Sequence, residues 1–465
     1  MTLTMDQDVV RNHAAVSSTA QAFLDYAVAQ GNCLGPAALL DDSLPPLFRN
    51  YQYPLHPWPW FLGEDMRRTL EEGACQVPAL VHRAIDIEFA GDHQRFGAYF
   101  GMPDLLAQLY MDIKLDPSQV MHRMDAMLTQ DGLKIMEINV GSNIGGWQIQ
   151  WMDGLYRKHP SLQPFFDQVR CRSKDIPLGY MSHLIESART VLDPADEEIH
   201  AFVLVSAEFL DIPDSRKTMG DVFQAALKNG GRVGAMHFAS SYDVLDFTPT
   251  GVHFEGQRIT VIASCFRGND APQPPQMLYR AYLGGRLAWP DNPFTATIGD
   301  KRSLALLHKH KQNPAFNEQE RRLIDYFIPW GTEATAKQVE FKGRQCDLEH
   351  LLLEERPRFV VKIAQGAQGN DVFVGKFKTD EEWSVAVSRA MGEPGWLVQE
   401  YCGSLPFYGQ SGEWGYGLHD VIWGIFGFGR QYGGCWLRLM GRGGGDGIIN
   451  SAKGAQETIV YEVVA

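Results

Sequence analysis

The sequence lacks the marks of several common protein classes. Its seven cysteines are scattered and form no Cys-X-X-Cys pair, which gives no zinc signature and is typical of a reducing compartment. It has no block of lysine or arginine and carries a formal net charge of −14, which argues against nucleic acid or an anionic membrane as the main partner. No apolar run reaches membrane-spanning length, and no basic segment followed by an apolar one opens the chain. We therefore expect a cytoplasmic protein.

The chain also shows no Ser-His-Asp or Cys-His arrangement that would supply a protein nucleophile. What it has is the composition of an ordinary globular protein: 465 residues, of which 45% are hydrophobic and 21% charged. A chain of this length is expected to form two to four domains with ample core. The first part is rich in helical patterns, of which residues 64–88 are the strongest, with an expected interruption at Pro78.

The most informative pattern is a predicted β-hairpin within residues 120–146. Two alternating runs, VMHRMDAML and LKIMEINV, flank the polar turn at residues 130–132, and alternation with a period of two indicates strands. A three-residue loop that ends in glycine fits a hairpin, because its last position needs a positive φ. A loop of small residues, VGSNIGG, follows at once, and such residues let backbone N–H groups approach a ligand.

The register of this hairpin brings acidic side chains together. If Thr129 lies opposite Leu133, then Asp125 lies opposite Glu137, and Asn139 shares the face of Glu137. Two facing carboxylates repel each other unless a hard cation such as Mg²⁺ binds between them. A solvated strand face with one Arg–Asp pair is the alternative, but the apolar residues around Glu137 and Asn139 favour a metal site.

Two further regions suggest ligand binding. Residues 198–295 alternate strand and helix patterns, which predicts a small parallel sheet, and a strand there ends in Arg267, where ligands of open α/β sheets bind. We interpret Arg267 as a holder of a substrate carboxylate, with a surface salt bridge as the alternative. In RFVVKIAQGAQGNDVFVGK a buried strand ends in Lys362 before a glycine-rich loop. A buried lysine needs a partner, and a phosphate is the simplest one; the hairpin setting argues against a Walker A site.

Near the C-terminus, the segment at residues 442–455 contains closely spaced glycines between two predicted strands. A long loop inside a compact domain is either a lid or disordered. The strands on both sides favour a lid. We expect it to be mobile without ligands and to fold over them when they bind.

Taken in order, these stretches resemble the circularly permuted ATP-grasp ligases, most closely the eukaryotic type of glutathione synthetase and more distantly glutathionylspermidine synthase. The resemblance begins near residue 119 and rests on RMDAML, MEINVGSN, CFRG, DKRSLALL, FVVKIAQGAQGNDVFVGK, LVQEYC, GIFGFGR, and WLRLM followed by GGGDGIINSAKGA. It implies an α/β (α+β) protein with a circularly permuted ATP-grasp fold. The implied parts are a mainly helical N-terminal region (1–118), the metal-binding hairpin with the first part of the core (119–197), an inserted parallel-sheet substrate domain (198–295), and the nucleotide-binding part with glycine-rich loop and lid (296–465).

The resemblance also implies roles for individual residues. The implied ligands of Mg²⁺ are Asp125, Glu137 and Asn139. ATP would be contacted by Lys301, Lys362, Gln365, Gly366, Gln368, Gly369, Asn370, Gln399, Glu400 and Lys453, with adenine at the hinge formed by Gln399 and Glu400. Catalytic roles at the acyl phosphate would fall to Arg123, Arg267 and Arg438, and substrate contacts to Ser142, Asn143 and Arg267. The family's glycine-rich loop carries a metal-binding Glu where this sequence has Gly366 or Gln368.

The implied reaction joins a carboxylic acid and an amine through an acyl phosphate, with ADP and phosphate released. Phosphoryl transfer needs positioning and charge neutralisation rather than a protein nucleophile, which agrees with the residues present. The implied partners are a small amino-acid-like or peptide-like acid and an amine, without nucleic acid or membrane, and a homodimer is compatible with this interpretation. A kinase on the same scaffold and a nucleotide-binding protein without catalysis are the alternatives.

Overall fold

The computed structural model describes residues 5–30, 44–49, 51, 53–113, 115–193, 198–266, 272–366, 369–412, 415–443 and 445–464. Arg267 and Gln368, two of the predicted site residues, lie outside these ranges. Within them, no helix combines the length and the apolar character that crossing a bilayer requires.

The fold is a mixed α/β arrangement of several sheets and the helices that cover them. The helices are α1 (Gln7–Val16), α2 (Ser18–Ala29), α3 (Pro46–Arg49), α4 (Glu64–Phe89), α5 (His93–Phe100), α6 (Asp104–Ile113), α7 (Asp153–Lys158), α8 (Gln163–Phe166), α9 (Ile176–Arg189), α10 (Ala207–Asp211), α11 (Ser215–Asn229), α12 (Gln276–Leu283), α13 (Ala296–Gly299), α14 (Arg302–His310), α15 (Glu318–Phe327), α16 (Leu348–Glu354) and α17 (Asp380–Gly392). The strands are β1 (Trp60–Leu62), β2 (Met121–Thr129), β3 (Gly132–Val140), β4 (Cys171–Ser173), β5 (Glu198–Leu204), β6 (Val233–Ala239), β7 (Asp246–Thr248), β8 (Gly251–Phe254), β9 (Gln257–Ile259), β10 (Val261–Ser264), β11 (Gly331–Glu333), β12 (Gln338–Phe341), β13 (Arg344–Asp347), β14 (Phe359–Ile363), β15 (Val372–Val374), β16 (Trp396–Glu400), β17 (Phe407–Ser411), β18 (Gly415–Phe428), β19 (Gln431–Gly441) and β20 (Gln456–Val463).

The central sheet has the strand order β1-β20-β19-β18-β2-β3, with β17 beside β18 and β4 beside β20. Successive side chains of a strand alternate between the two faces of a sheet. One face is mainly apolar, with Met124, Trp423 and Leu437 buried, and α4 packs on it. The opposite face carries Asp125 and Arg438, so this sheet separates the core from the candidate site.

Helix α4 runs without a break from Glu64 to Phe89 although Pro78 lies inside it, so the predicted interruption is wrong. Proline costs about 3 kcal/mol in a helix interior because it removes one hydrogen bond and crowds the preceding turn. Here Leu70, Val77 and Val81 are buried on the same helix. Packing of such a face supplies most of a helix's stability in a protein, and it outweighs the local cost.

The N-terminal region also contributes a strand that the sequence analysis missed. β1 pairs in parallel with β20, and Trp60 lies opposite Val460. Three buried residues between prolines and aromatics show no alternation, because neither face of this short strand is exposed. The region is therefore helical with one strand in the central sheet.

Two smaller sheets flank the central one. β10, β5 and β6 form a parallel sheet, as the sequence predicted, and α11 packs on it. β11, β16, β14 and β15 form an antiparallel sheet that packs against α16 and α17. The β14–β15 hairpin carries Lys362 and the glycine-rich loop, so each ligand-binding pattern lies on a different sheet.

Candidate active site

A cavity of about 2320 Å³ lies where the three sheets meet. It is larger than the roughly 300–1,000 Å³ of a typical small-molecule site, so it has room for more than one ligand. The central sheet, the C-terminal ends of β5 and β6, and β14 with its glycine-rich loop form the walls. The predicted site residues that line it are Arg123, Asp125, Glu137, Asn139, Ser142, Asn143, Lys301, Lys362, Gln365, Gly366, Gly369, Asn370, Gln399 and Arg438.

The β2–β3 hairpin has the predicted pairing at the site but not at the turn. Asp125 lies opposite Glu137, as predicted. At the other end, Thr129 pairs with Gly132 and not with Leu133, so the loop has two residues. The predicted turn is therefore wrong by one residue.

A β-bulge at Met136 explains why the predicted pairing holds at Asp125 but not at the turn. Ala126 pairs with Ile135 while Asp125 pairs with Glu137, so Met136 is an extra residue in β3. A bulge takes a carbonyl out of the regular ladder, and the Met136 carbonyl accepts a hydrogen bond from Lys362 Nζ at 2.9 Å. The extra residue thus connects the hairpin to the nucleotide side of the cavity.

Asp125 is held between two guanidinium groups. Arg123 donates from Nε to Oδ1 at 2.8 Å and from Nη2 to Oδ2 at 3.0 Å, and Arg438 Nη2 lies 2.6 Å from Oδ2. Burial raises the pKa of Asp125, but the two positive charges together outweigh it and hold the pKa well below its usual value. Both carboxylate oxygens are therefore engaged by arginine in this structure, and the metal-ligand role of Asp125 stays a prediction.

Both guanidinium groups pack against the ring of Trp436. The guanidinium carbon of Arg123 lies 5.1 Å from the Trp436 ring and that of Arg438 lies 4.7 Å from it, which are favourable cation–π distances. Gly424 makes this arrangement possible, since a Cβ there would lie 2.7 Å from the Trp436 ring and 3.2 Å from Arg123 Cδ. The sequence analysis assigned neither Trp436 nor Gly424.

Glu457 is a further buried carboxylate of the site that the sequence analysis missed. It lies opposite Arg438 in the β19–β20 ladder, and its oxygens accept hydrogen bonds from the hydroxyls of Tyr51 and Ser451. Burial raises its pKa, although both hydrogen bonds and the charges of Arg438 and Arg123 act in the opposite direction. The sequence of β20, QETIVYEV, contains two acidic residues and does not distinguish Glu457 as a site residue.

Glu137 is more open than Asp125: its side chain is 30% exposed, against 3%. Lys301 Nζ lies 3.4 Å from Glu137 Oε2, and Asn139 Nδ2 donates to Glu137 Oε1 at 3.5 Å. Among the described residues, no group of three His, Cys, Asp or Glu side chains is placed to hold a metal ion. A cation here would therefore take its protein ligands from Glu137 and the amide oxygen of Asn139.

Lys362 is buried between neutral acceptors. Its Nζ donates to the Met136 carbonyl and to Gln399 Oε1, both at 2.9 Å. Burial lowers the pKa of Lys362 to about 8, with Glu137 raising it and Lys301 lowering it. An ammonium has three donors, so one remains for a ligand oxygen in the cavity.

The glycine-rich loop is fixed at its first end by side chains from elsewhere. Lys301 Nζ donates to the Gly366 carbonyl at 2.8 Å, and Gln365 Nε2 donates to Asp300 Oδ2 at 3.3 Å. At the other end Gly369 has a φ of +74°, and a Cβ there would lie 2.8 Å from Ile448 Cγ2. The glycine-rich loop and the 442–455 segment therefore touch.

The described part of the 442–455 segment covers the cavity from one side. Ile449 and Ala455 are buried against Ile422 of the central sheet. Lys453, predicted to contact ATP, instead pairs with Asp446 at 3.0 Å and does not line the cavity. The segment lies where a lid would close.

The predicted adenine hinge is only partly in the cavity. Gln399 is buried and holds Lys362. The Glu400 side chain pairs with Lys342 at 2.9 Å, and its backbone N–H donates to the Trp330 carbonyl. Tyr401, which the sequence analysis did not single out, lines the cavity in its place.

The loop after β3 fastens the central sheet to the parallel sheet. Ser142 is buried, and the Asn143 amide donates to the Phe266 carbonyl. Close by, Asp291 Oδ2 accepts the Ser264 N–H at 2.7 Å, and burial raises the pKa of Asp291 to about 6. Asn143 in this structure therefore joins two sheets rather than standing free for a ligand.

Comparison with known proteins gives a structural match only. No protein-family model and no curated protein matches the sequence. A glutathione synthetase-like effector from Globodera pallida, solved in apo form, matches over 99% of this chain and 98% of its own, at 12% identity and a TM-score of 0.56. A protein from Methylobacillus flagellatus KT, named after γ-glutamylcysteine synthetase, matches over 83% and 88% at 9% identity, and its TM-score of 0.40 carries no argument. The chain therefore has a mixed α/β fold like that of the glutathione synthetase-like effector, as the sequence resemblance predicted.

Proposed function

We propose that this chain is an ADP-forming, ATP-dependent carboxylate–amine ligase on a circularly permuted ATP-grasp scaffold, with domains at 1–118, 119–197, 198–295 and 296–465. One observation carries the proposal: two arginines of the central sheet, a lysine of β14 and a lysine directly before α14 converge on one cavity with Glu137. These are Lys301, Lys362, Arg123 and Arg438. Such a cluster neutralises the charge that develops on a transferring phosphoryl group.

The lysines are assigned to the phosphates of ATP. Lys362 has one donor left after Met136 and Gln399, and Lys301 bridges Glu137 to the glycine-rich loop. Each is buried, so its interaction with a phosphate oxygen is stronger than it would be in water. A compact ammonium suits a point contact with phosphate.

Glu137 and Asn139 are assigned to Mg²⁺, and Asp125 is assigned to the arginines. When bound, Mg²⁺ supplies charge neutralisation between the phosphate oxygens of ATP. The side chains present fit this, because Glu137 is partly open and Asn139 offers an amide oxygen beside it. Asp125 keeps Arg123 and Arg438 oriented towards the cavity.

The two arginines have different roles. Arg123 already donates to Asp125 and to the carbonyls of Ile144 and Gly145, so it positions its neighbours. Arg438 is buried, and within the described residues its Nε has no hydrogen-bond partner. An unpaired buried donor that lines a cavity is costly unless a ligand satisfies it. We assign Arg438 to the carboxylate that becomes the acyl phosphate.

Amide formation then requires that water be kept away from the acyl phosphate. The amine nitrogen attacks the carbonyl carbon, the bond to the phosphate oxygen breaks, phosphate leaves with the electron pair, and the proton lost from nitrogen passes to the departing phosphate. The 442–455 segment, which contacts the glycine-rich loop through Ile448, would cover this step. Exclusion of water also strengthens the electrostatic contacts inside the site.

The test is a screen of ADP release over amino acids, short peptides and polyamines with ATP and Mg²⁺, followed by mass spectrometry of the products. A ligase gives ADP only when acid and amine are both present, together with a new amide. A stable phosphorylated product that needs no amine would indicate a kinase. ATP binding without ADP release under any condition would indicate a non-catalytic nucleotide-binding protein.

A further inference from the structure

The end of the cavity beside the parallel sheet is apolar. Phe209, Met236 and Phe238 line it, and the Phe209 and Phe238 rings lie 5.7 Å apart. Met236 and Phe238 are two residues apart on β6 and so project from one face. Ile212, which directly follows α10, and Met219 of α11 extend the same lining.

This apolar end belongs to the same cavity as the lysine and arginine cluster. α10 follows the C-terminal end of β5 directly, and α3 contacts α11 from the N-terminal region. Leu47 of α3 and Met219 of α11 both line the cavity there. A molecule whose reactive group lies near Arg438 can therefore extend its other end into this apolar space.

The charges around the apolar end disfavour an anionic group. Glu208 and Asp211 line it from α10, and in the described part of the chain neither forms an ion pair. Arg49 is the basic side chain described at this end, and its Nε already donates to the Leu44 carbonyl at 2.8 Å. A carboxylate placed here would meet two carboxylates and one guanidinium, a net negative charge, whereas a hydrocarbon group would meet aromatic rings and thioethers.

We propose that this apolar end is a substrate subsite that binds an apolar side chain of an amino acid or short peptide, and that it selects against acidic side chains. The chemistry of the substrate rests on the proposed ligase function. Burial of one methylene contributes enough to raise affinity about fourfold. Four added carbons, from glycine to leucine, therefore raise affinity on the order of a hundredfold if the side chain is fully buried.

The test measures equilibrium binding by calorimetry, with ADP and Mg²⁺ present, for the dipeptides Gly-Gly, Gly-Ala, Gly-Val and Gly-Leu. Gly-Asp serves as a charged probe of nearly the same shape as Gly-Leu. We expect affinity to rise along the series and Gly-Asp to bind at least about tenfold more weakly than Gly-Leu. Equal binding of Gly-Leu and Gly-Asp, or no dependence on side-chain length, would overturn the proposal.

A matched pair of variants locates the effect. Met236→Gln keeps the side-chain length but adds a polar amide, and should weaken Gly-Leu binding about tenfold while leaving Gly-Gly unchanged. Met277→Gln, at a position that is 42% exposed and outside the cavity, should change neither. Phe238→Tyr is a milder second variant if Met236→Gln does not fold. Equal loss of both peptides would mean that Met236 is only structural.

This experiment measures binding and requires no turnover. If Gly-Leu binds as expected but no peptide supports ADP release, the ligase proposal fails and the subsite stands. If ADP release occurs with acidic substrates and apolar ones do not bind, the reverse holds. The two proposals are therefore tested separately.

Discussion

Replacement of Asp125 by asparagine tests the charge network beneath the cavity. The substitution keeps the shape of the side chain but removes the negative charge that both Arg123 and Arg438 contact, and these two arginines are only 8% and 5% exposed. Removal of one partner from a buried ion pair typically costs about 3–5 kcal/mol. We expect Asp125→Asn to lower the free energy of unfolding by an amount in this range.

The assay is urea unfolding followed by tryptophan fluorescence, because Trp436 packs against both guanidinium groups. Asp221→Asn is the matched control. Asp221 pairs with Lys217 at 2.6 Å, but the two side chains are 63% and 72% exposed, and a surface pair contributes only about 0–1 kcal/mol. The two variants differ in burial rather than in the group removed.

The pH dependence of this effect follows from the direction of the pKa shift. The folded-state pKa of Asp125 lies below its usual value, so its contribution is present above the unfolded pKa and is lost as the pH falls through the folded pKa. The difference between the wild type and Asp125→Asn should therefore shrink only in strong acid. If Asp125→Asn and Asp221→Asn lower the free energy of unfolding equally at neutral pH, the stabilising role of Asp125 between the two arginines is refuted.

Three other predictions concern catalysis and stability. Lys362→Ala should lower turnover about a hundredfold or more, because one preorganised contact with phosphate is lost. Lys362→Arg should also have low activity, since a planar guanidinium does not replace the point charge of an ammonium. Steady-state ADP release measures both variants, and activity equal to wild type would remove Lys362 from the site. Shortening the glycine run at residues 443–445 should leave ATP binding nearly intact but raise the ratio of ADP released to amide formed, because water reaches the acyl phosphate. An unchanged ratio would mean that the segment only connects β19 to β20. Burial lowers the pKa of His13 to about 4, and its Nε2 accepts the Tyr408 N–H. Because the unfolded state takes up the proton first, the free energy of unfolding should fall by roughly 3 kcal/mol as the pH falls from 6.5 to 4. Urea unfolding of His13→Gln over this range should show a weaker dependence of the free energy of unfolding on pH.

The hairpin shows how far the sequence could predict the site. Alternation identified both strands and the Asp125–Glu137 pair, because side-chain period and face are local properties. The predicted turn was one residue too long, and the bulge at Met136 compensated for it. The pattern of apolar residues does not show this bulge, because the contact that the extra residue makes is with a distant side chain, Lys362.

The parts that the sequence could not predict depend on residues far apart in the chain. Glu457 becomes a site residue only because β20 lies beside β19 and Tyr51 reaches it from the N-terminal region. The contact between Asp125 and Arg438, at 2.6 Å, likewise depends on β19 lying close to β2, although the two strands are far apart in the chain. Strand order across a sheet is set by tertiary packing, and local patterns do not encode it.

The position of β20 has a consequence for how this protein folds during synthesis. β20 lies between β1 and β19 and also pairs with β4, and Thr458 donates to the Trp58 carbonyl across 400 residues. At about 5–20 residues per second, the ribosome needs on the order of 20–80 s to make the partner of β1 after β1 itself. During that interval Trp60, Phe61 and Leu62 have no strand to pair with. The nascent chain should therefore depend on chaperones that bind extended apolar segments, and should be prone to aggregation when they are scarce.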